Sequence, residues 1–243
     1  MSGPSFLTYI STKFGTISKN ILATEDDALI EKQFSLFYPS LGKNYLDKRE
    51  LLVFGQATNG WSPKWFVHEV QADSNKLVAE SIDYSNEDEG KCPLEWVNEK
   101  WTEFNLSHSF FWNVTYKLVK AHYNKTDENW NNIIAWSNLM KIAPAYGGNP
   151  NPCEIEAQAE NAANLFKQEL DDLKPKNVLV ITNLKTWARP ILEKSKIEFQ
   201  QIDGEYAEAI GNYNGSRVIV TKRPFIGGKH QLFVDEMTKL FAT

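Results

Sequence analysis

The sequence has few cysteines, and their positions exclude two kinds of site. Cys92 and Cys153 are its two cysteines; they lie far apart and form no CxxC pair. A disulfide framework and a Cys-rich metal site are therefore not expected, and reduced thiols are typical of a cytoplasmic protein. The histidines show no metal-ligand spacing, and neither a P-loop nor a Ser-His-Asp motif is recognisable. We predict no metal and no cofactor.

Long apolar runs and an excess of basic residues are also missing. No stretch approaches the roughly 20 apolar residues of a membrane span, and the start, MSGPSFLTYISTKFG, does not resemble a signal peptide. We therefore expect a cytoplasmic protein with no membrane partner. The net charge of −5 argues against a protein held to DNA mainly by phosphate contacts, although a local basic face would suffice. Candidates for such a face lie near predicted loops and strand ends: Lys141, Lys185, Arg189, Lys222, Arg223 and Lys229.

Four short apolar runs are the clearest pattern that is present. They lie at 51–54, 133–136, 178–181 and 217–221, and helical patterns separate them. Short apolar runs of this kind are typical of strands that are buried on both faces. The sequence therefore predicts an α/β fold in which helices cover both faces of a parallel sheet.

The rest of the chain is organised around these runs. The 243 residues are expected to form a single domain, because no Pro/Gly/Ser-rich linker divides them. Residues 1–49 read as an N-terminal helical extension, with one helix running from the acidic stretch 25–27 through Leu29, Ile30, Phe34 and Phe37. Residues 50–243 form the core, with a Trp-rich insertion at about 65–130 that carries an acidic loop and two amphipathic helices. Its aromatic side chains are interpreted mainly as packing.

A polar loop follows the first apolar run. In LLVFGQATNGW (residues 51–61) the strand stops at Gly55 and continues into a short glycine-bracketed loop. Ligands bind beyond the carboxyl ends of parallel strands, and a glycine there allows a ligand to approach the backbone. We predict that this loop forms the floor of a site.

The order of strands and loops resembles the uracil-DNA glycosylase superfamily, especially its thermostable iron–sulfur branch. The resemblance lies in SNLMK (137–141), in APAYGGNPNPCEIE (143–156), in which Pro and Glu open a helix, and in LKPKNVLVIT (173–182). LLVFGQATNGW takes the place of the first glycosylase motif and VIVTKRPF (218–225) that of the closing motif. The resemblance implies a three-layer α/β/α fold with a four-stranded parallel sheet. The four cysteines of that branch are absent, so no iron–sulfur cluster is expected.

Three residues carry the roles that the resemblance implies. Asn138 stands where the family reads the edge of a flipped pyrimidine; an amide supplies the donor and the acceptor for this, although an Asn that caps a loop would look the same. Gln56 stands where the family positions the attacking water, and it could orient water without acting as a base. Arg223 replaces the usual His; it could stabilise the departing base anion or bind a phosphate.

The remaining candidates are ligand-binding residues around these three. Ala57 and Thr58 depart from the family pattern, in which a reactive side chain and a proline are usual. Trp61 or Trp65 could stack on a base, or both could pack the loop onto the core. The predicted base- or ligand-binding set is Gly55, Ala57, Thr58, Asn59, Trp61, Asn138 and Lys141, with Gln56 and Arg223 as the catalytic pair.

Three functions remain open on the sequence alone. The first is a DNA-repair hydrolase that cleaves the N-glycosidic bond of a flipped base in DNA. The second is a module that binds a nucleobase, a nucleotide or nucleic acid on the same fold without chemistry, which the missing carboxylate and His favour. The third is a protein-interaction domain that uses the Trp-rich insertion as its contact surface.

Overall fold

The computed structural model describes residues 3–23, 31–85, 92–124, 129–223 and 230–242. Within these ranges the helices and strands follow one another in the order α1 (Gly3–Leu22), β1 (Gln33–Leu36), β2 (Ser40–Leu41), α2 (Tyr45–Lys48), β3 (Leu51–Gly55), β4 (Lys64–Phe66), α3 (Val67–Ala72), α4 (Ser74–Ser85), α5 (Glu95–Glu99), α6 (Phe110–Tyr123), β5 (Ile134–Asn138), β6 (Ile142–Pro144), α7 (Pro152–Leu173), β7 (Asn177–Thr182), α8 (Arg189–Ser195), β8 (Phe199–Gln201), β9 (Ala207–Tyr213), β10 (Ser216–Lys222) and α9 (His230–Phe241). No helix in the described ranges is long and apolar enough to cross a membrane.

The central sheet has seven strands in the order β2-β5-β3-β7-β10-β9-β8. The four strands predicted from the sequence are adjacent, and β5, β3, β7 and β10 pair in parallel. The expected four-stranded sheet is thus only its centre, because β2, β9 and β8 extend it with antiparallel pairs. The β9–β10 hairpin turns at Asn214 and Gly215, whose φ values of 48° and 84° fit a type I′ turn. Residues 199–213 show no clear pattern in the sequence, and in the structure they contain β8 and β9, the two strands at this edge of the sheet.

Helices cover both faces of this sheet. Alternate residues of the central strands, such as Val53, Leu179 and Ile219, pack with α6 and α9 in one buried cluster. Their neighbours, such as Leu52 and Val178, pack with α7 and α8 in a second cluster on the other face. Because both faces are covered, the central strands contain few polar residues, as parallel strands generally do.

The N-terminal part differs from its prediction. Strand β1 lies in a small antiparallel sheet of order β4-β1-β6, so Phe34 is on a strand and not on the predicted helix. Here pairing with two neighbouring strands outweighs the helical spacing of the apolar residues. Residues 24–30, which include Leu29 and Ile30, lie outside the described residues. The preceding segment is the helix α1, which packs on α3, α4 and α7.

Helix α7 begins as its sequence predicts. Asn151 Oδ1 accepts from the Glu154 backbone N–H at 2.9 Å, and Glu154 Oε2 accepts from the Asn151 backbone N–H at 3.0 Å. This capping box and Pro152 in the first turn fix the start of a 22-residue helix. Helix α7 also carries Glu169, which lies beneath the end of β5 and forms an ion pair with the predicted site residue Lys141.

Candidate functional site

A cavity of about 510 Å³ lies at the carboxyl ends of β3 and β5. Eight of the nine residues predicted for the site line it: Gly55, Gln56, Ala57, Thr58, Asn59, Trp61, Asn138 and Arg223. They come from three separate parts of the chain, after β3, at the end of β5 and after β10. The parallel arrangement brings these parts together, because strand ends of the same direction meet at one edge of a sheet.

The loop after β3 is held by the segment after β5. Gly55 and Asn138 are register partners on the paired strands. The Leu139 backbone N–H donates to the Gly55 carbonyl at 3.0 Å, and the Met140 N–H donates to the Gln56 carbonyl at 2.9 Å. A Cβ placed on Gly55 would lie 2.5 Å from Asn138 Oδ1. The absence of a side chain at Gly55 therefore makes room for the amide of Asn138, and Gly55 also lines the cavity.

Asn138 is the polar side chain at the bottom of this arrangement. It is 1% exposed, and its Nδ2 is a buried donor without a hydrogen-bond partner in the described part of the chain. A buried amide donor without a partner costs about 1–3 kcal/mol of free energy, which a hydrogen bond to a water or a ligand would offset.

Gln56 and Arg223 contact each other directly. Arg223 Nη1 donates to Gln56 Oε1 at 2.8 Å, and the Arg223 backbone N–H donates to Asn183 Oδ1 at 3.4 Å. Arg223 keeps an exposed surface, while nearby groups partly desolvate its guanidinium and so lower its pKa. An arginine nevertheless stays protonated at neutral pH. The site therefore contains a fixed positive charge and a glutamine whose carbonyl is already in use.

The remaining loop residues have distinct environments. Thr58 is 3% exposed, and its Oγ1 has no partner within the described ranges, nor does Trp61 Nε1. Ala57 is half-buried and packs against the core beneath the sheet. Asn59 is exposed, and its Oδ1 accepts from the Gly148 backbone N–H at 2.9 Å. This bond joins the cavity loop to the glycine-containing loop after β6.

Aromatic side chains form much of the remaining wall. Trp136 is central, with ring centroids 5.0 Å from Trp112, 5.4 Å from Trp61 and 5.9 Å from Trp96. The predicted site did not include the nine other residues that line the cavity: Gly60, Trp96, Phe104, Leu106, Ser109, Phe111, Trp112, Trp136 and Ile181. One signal was available, since Trp136 precedes Asn138 by two residues and side chains two apart share a face of a strand.

The Trp-rich insertion thus covers the cavity from the side of α5 and α6. Trp112 is 6% exposed and Trp130 is 2% exposed. Phe104, at the rim, is 56% exposed. Since its indole rings mostly face inward, the insertion supports a walled pocket better than a contact surface for another protein.

Lys141 is the predicted site residue that does not line the cavity. It is 1% exposed, with Nζ 2.5 Å from Glu169 Oε1 and 2.6 Å from Ser137 Oγ, and Ser137 Oγ donates to Glu169 Oε2 at 2.8 Å. Burial lowers the pKa of Lys141 and raises that of Glu169, and their mutual pairing opposes both shifts. Ser137 faces away from Asn138 because neighbouring residues of a strand point to opposite faces. Lys141 therefore stabilises the end of β5 on the face of the sheet opposite Asn138.

The other predicted basic residues do not gather around the cavity. Lys222 Nζ donates to the carbonyls of Gly204 and Glu205, at 3.1 and 3.0 Å. Arg189 lies 3.7 Å from Glu193, Lys185 is exposed, and none of these lines the cavity. Lys229 and the 224–225 part of the closing motif lie outside the described residues. Among the members of the predicted basic set that the structure describes, only Arg223 lines the cavity.

Trp65 and the metal-ligating residue types have other places in the fold. Trp65 is buried in the small sheet, 5.9 Å from the ring of Phe34, so it packs and does not face the cavity. His230 Nδ1 lies 2.8 Å from Asn113 Oδ1. Within the described ranges, no group of three or more His, Cys, Asp or Glu side chains could hold a metal ion.

Comparison with models of known protein families and with curated proteins finds no match to this chain.

The close contact of Gly55 with Asn138 leads to a prediction. We expect Gly55→Ala to displace the Asn138 amide, to lower the free energy of unfolding by about 1–3 kcal/mol and to weaken ligand binding, because the new methyl group would overpack this position. Chemical denaturation of the purified variant measures the first effect. Gly15→Ala is the control: its Cβ would meet nothing closer than 3.7 Å, so it should be neutral or stabilising. Equal stability of both variants would contradict the expected clash.

Proposed function

We propose that the cavity binds a nucleobase and that the chain is a uracil-DNA glycosylase-like protein. The observation that carries this proposal is Asn138, a buried amide whose Nδ2 lacks a partner among the described residues, in a cavity with aromatic walls. The edge of a base offers neighbouring acceptors and donors that match an amide, and its ring face suits contact with indole rings.

The arrangement of the strands supports the same proposal. Four parallel strands with helices on both faces correspond to the three-layer α/β/α fold that the resemblance implies, with three antiparallel strands added at the edges. Gln56 follows β3, Asn138 ends β5 and Arg223 follows β10, which is the order in which the glycosylase motifs occur along the chain. The three side chains line one cavity, as a shared site requires.

Hydrolysis of an N-glycosidic bond is the reaction that these residues support best. When the bond between the sugar carbon and the base nitrogen breaks, its electron pair leaves with the base. Water supplies the hydroxyl group at the sugar, and the proton that the water loses ends on the base. Arg223 would stabilise the negative charge that develops on the base. Gln56 would hold the attacking water through its amide. The protein would then act as a hydrolase in DNA repair.

Binding without chemistry is the second candidate, and one observation favours it. The described residues that line the cavity include no carboxylate and no histidine, so the site lacks an evident general base. Gln56 also gives its carbonyl oxygen to Arg223, which limits its contact with water. A protein of this kind would hold a base or a nucleotide in the same pocket.

Excision and binding assays separate the two candidates. The substrates are single- and double-stranded oligonucleotides that contain uracil, hypoxanthine or xanthine. For an enzyme, Arg223→Ala should reduce base release by about 10²–10³-fold, as loss of a charge-stabilising group does elsewhere, and Arg223→Lys should recover part of the rate. A ligand-induced rise in melting temperature without base release would support binding alone. No release, no thermal shift and no retention of oligonucleotide at low salt would contradict the nucleic-acid proposal.

A further inference from the structure

A second, open groove lies on the small antiparallel sheet β4-β1-β6 and the segments that adjoin it. Its volume is about 460 Å³, and its lining residues are Glu31, Lys32, Gln33, Phe66, Pro144 and Tyr146. None of these residues lines the cavity at the ends of β3 and β5. The groove is therefore a separate site, which the proposed function leaves unused.

The groove is adjacent to the cavity through one pair of loops. The loop after β3 contributes Asn59 and Gly60 to the cavity lining. The loop after β6 contacts both residues: the Gly148 backbone N–H donates to Asn59 Oδ1 at 2.9 Å, and a Cβ placed on Gly60 would lie 3.8 Å from Gly147 N. Tyr146 directly precedes Gly147 and lines the groove. A ligand that extends out of the cavity across these loops therefore comes close to Tyr146.

Tyr146 presents a fixed aromatic ring to solvent. The residue is 76% exposed, the highest value among the large hydrophobic residues in the described ranges. A single exposed aromatic residue is ordinary, but this ring is held at two points. Its hydroxyl group donates to Gln33 Oε1 at 2.7 Å, and Lys64 Nζ lies 3.9 Å from its ring centroid. Because the ring is already held in place, stacking a partner on it costs less conformational entropy.

The charges around the groove favour a ring over a bare phosphate. Lys32 pairs with the buried carboxylate of Glu154, and Glu31 is exposed in the groove lining. Lys64 adds a positive charge beside the ring of Tyr146. Since charges of both signs are present, attraction of phosphate alone would be weak. An exposed ring beside a cation is the combination with which proteins stack the bases of single-stranded nucleic acid and contact its backbone.

We propose that the groove binds the base of a nucleotide next to the one held in the cavity, on a single strand of DNA, with Tyr146 as the stacking platform. This inference rests on the proposed function, because it requires the cavity to hold a base of the same strand. Lys64 contacts the backbone beside the stacked base. In a duplex the neighbouring base stays stacked and paired, so Tyr146 contributes only to the binding of a single strand.

A thermodynamic cycle between the Tyr146 ring and the neighbouring bases tests this proposal. The probes are two short single-stranded oligonucleotides with a central 2′-fluorodeoxyuridine, whose electron-withdrawing fluorine opposes cleavage of the N-glycosidic bond. One carries thymine on both sides of this nucleotide, and the other carries abasic spacers there. Fluorescence anisotropy measures the Kd of each for the full chain. We expect the wild type to bind the thymine oligonucleotide about tenfold more tightly, and Tyr146→Ala to bind both within about twofold.

Tyr146→Phe is the matched control. It keeps the ring and loses the hydrogen bond to Gln33, so it should keep most of the tenfold preference. Neither variant should change the Kd of free uracil by more than about twofold, because Tyr146 does not line the cavity. With the thymine oligonucleotide in a duplex, Tyr146→Ala should bind as tightly as the wild type.

The outcomes distinguish this inference from the proposed function. If the spacers weaken binding equally in the wild type and in Tyr146→Ala, the stacking platform is overturned, while binding of free uracil leaves the nucleobase cavity standing. An equal loss for single-stranded and duplex DNA in Tyr146→Ala would overturn it as well. If neither free uracil nor either oligonucleotide binds, both the inference and the proposed function fail.

Discussion

Glu169→Ala is expected to lower the free energy of unfolding by about 3–5 kcal/mol. The substitution would leave the Lys141 ammonium group in the protein interior without the carboxylate 2.5 Å away, and would remove the acceptor of the Ser137 hydroxyl group. An uncompensated buried charge is among the most destabilising changes in a folded protein. Since a domain is stable by about 5–15 kcal/mol, this single change would remove a large share of its stability.

Urea denaturation followed by Trp fluorescence measures this effect. The matched control is the double variant Lys141→Met with Glu169→Leu, which removes both charges and keeps the side-chain volume. We expect it to be far more stable than Glu169→Ala, because replacing a buried pair by apolar residues is often neutral. The double variant should also bind ligand within a few-fold of the wild type, since Lys141 does not line the cavity. Loss of binding in a stable double variant would restore Lys141 as a ligand-binding residue.

Asn138→Ala is expected to weaken nucleobase binding by about 10²–10³-fold. Under the proposed function, the variant loses the amide that would supply both a donor and an acceptor to the base edge, which corresponds to about 3–4 kcal/mol. Sites that are built around such hydrogen bonds discriminate strongly when one partner is missing. Titration of the purified variant with free xanthine and with uracil measures the loss.

The control for this prediction is a measurement of the free energy of unfolding. Asn138 Nδ2 has no partner in the described ranges, so Asn138→Leu should leave the free energy of unfolding unchanged or higher while it abolishes binding. A residue that served the fold alone would show the reverse, with lost stability and retained binding. Such a result would return Asn138 to the role of a loop-capping residue.

The central strands and the three main site residues follow from simple features of the sequence. Short apolar runs require burial on both faces, and parallel pairing then places Gln56, Asn138 and Arg223 at one edge of the sheet. The start of helix α7 can be predicted equally well, because Asn151, Pro152 and Glu154 form a local capping signal. These features depend on neighbouring residues, so a single sequence contains enough information to predict them.

Other features depend on contacts between distant residues. The apolar spacing around Phe34 suits a helix, yet this segment pairs with β4 and β6, which lie far along the chain. Lys141 follows Asn138 closely in sequence but meets Glu169 on the opposite side of the sheet. The hairpin at Asn214 is different, since an Asn-Gly turn is a local signal that our sequence interpretation did not use.

The aromatic wall could not be assigned from composition. A Trp residue in a long insertion can pack in a core, face a pocket or bind a partner, and its sequence context is the same in each case. In the structure, Trp112 and Trp136 form one wall of the cavity, because α6 packs over the end of β5. Whether a Trp side chain packs in the core or lines the cavity depends on tertiary contacts, which its neighbours in sequence do not determine.

A crystal structure of the chain soaked with xanthine and with uracil tests the central claim most directly. The account predicts a base in the cavity with a carbonyl oxygen within hydrogen-bond distance of Asn138 Nδ2 and its ring face against the aromatic wall of Trp61, Trp112 and Trp136. A base bound elsewhere, or a base in the cavity that makes no contact with the Asn138 amide, would contradict it.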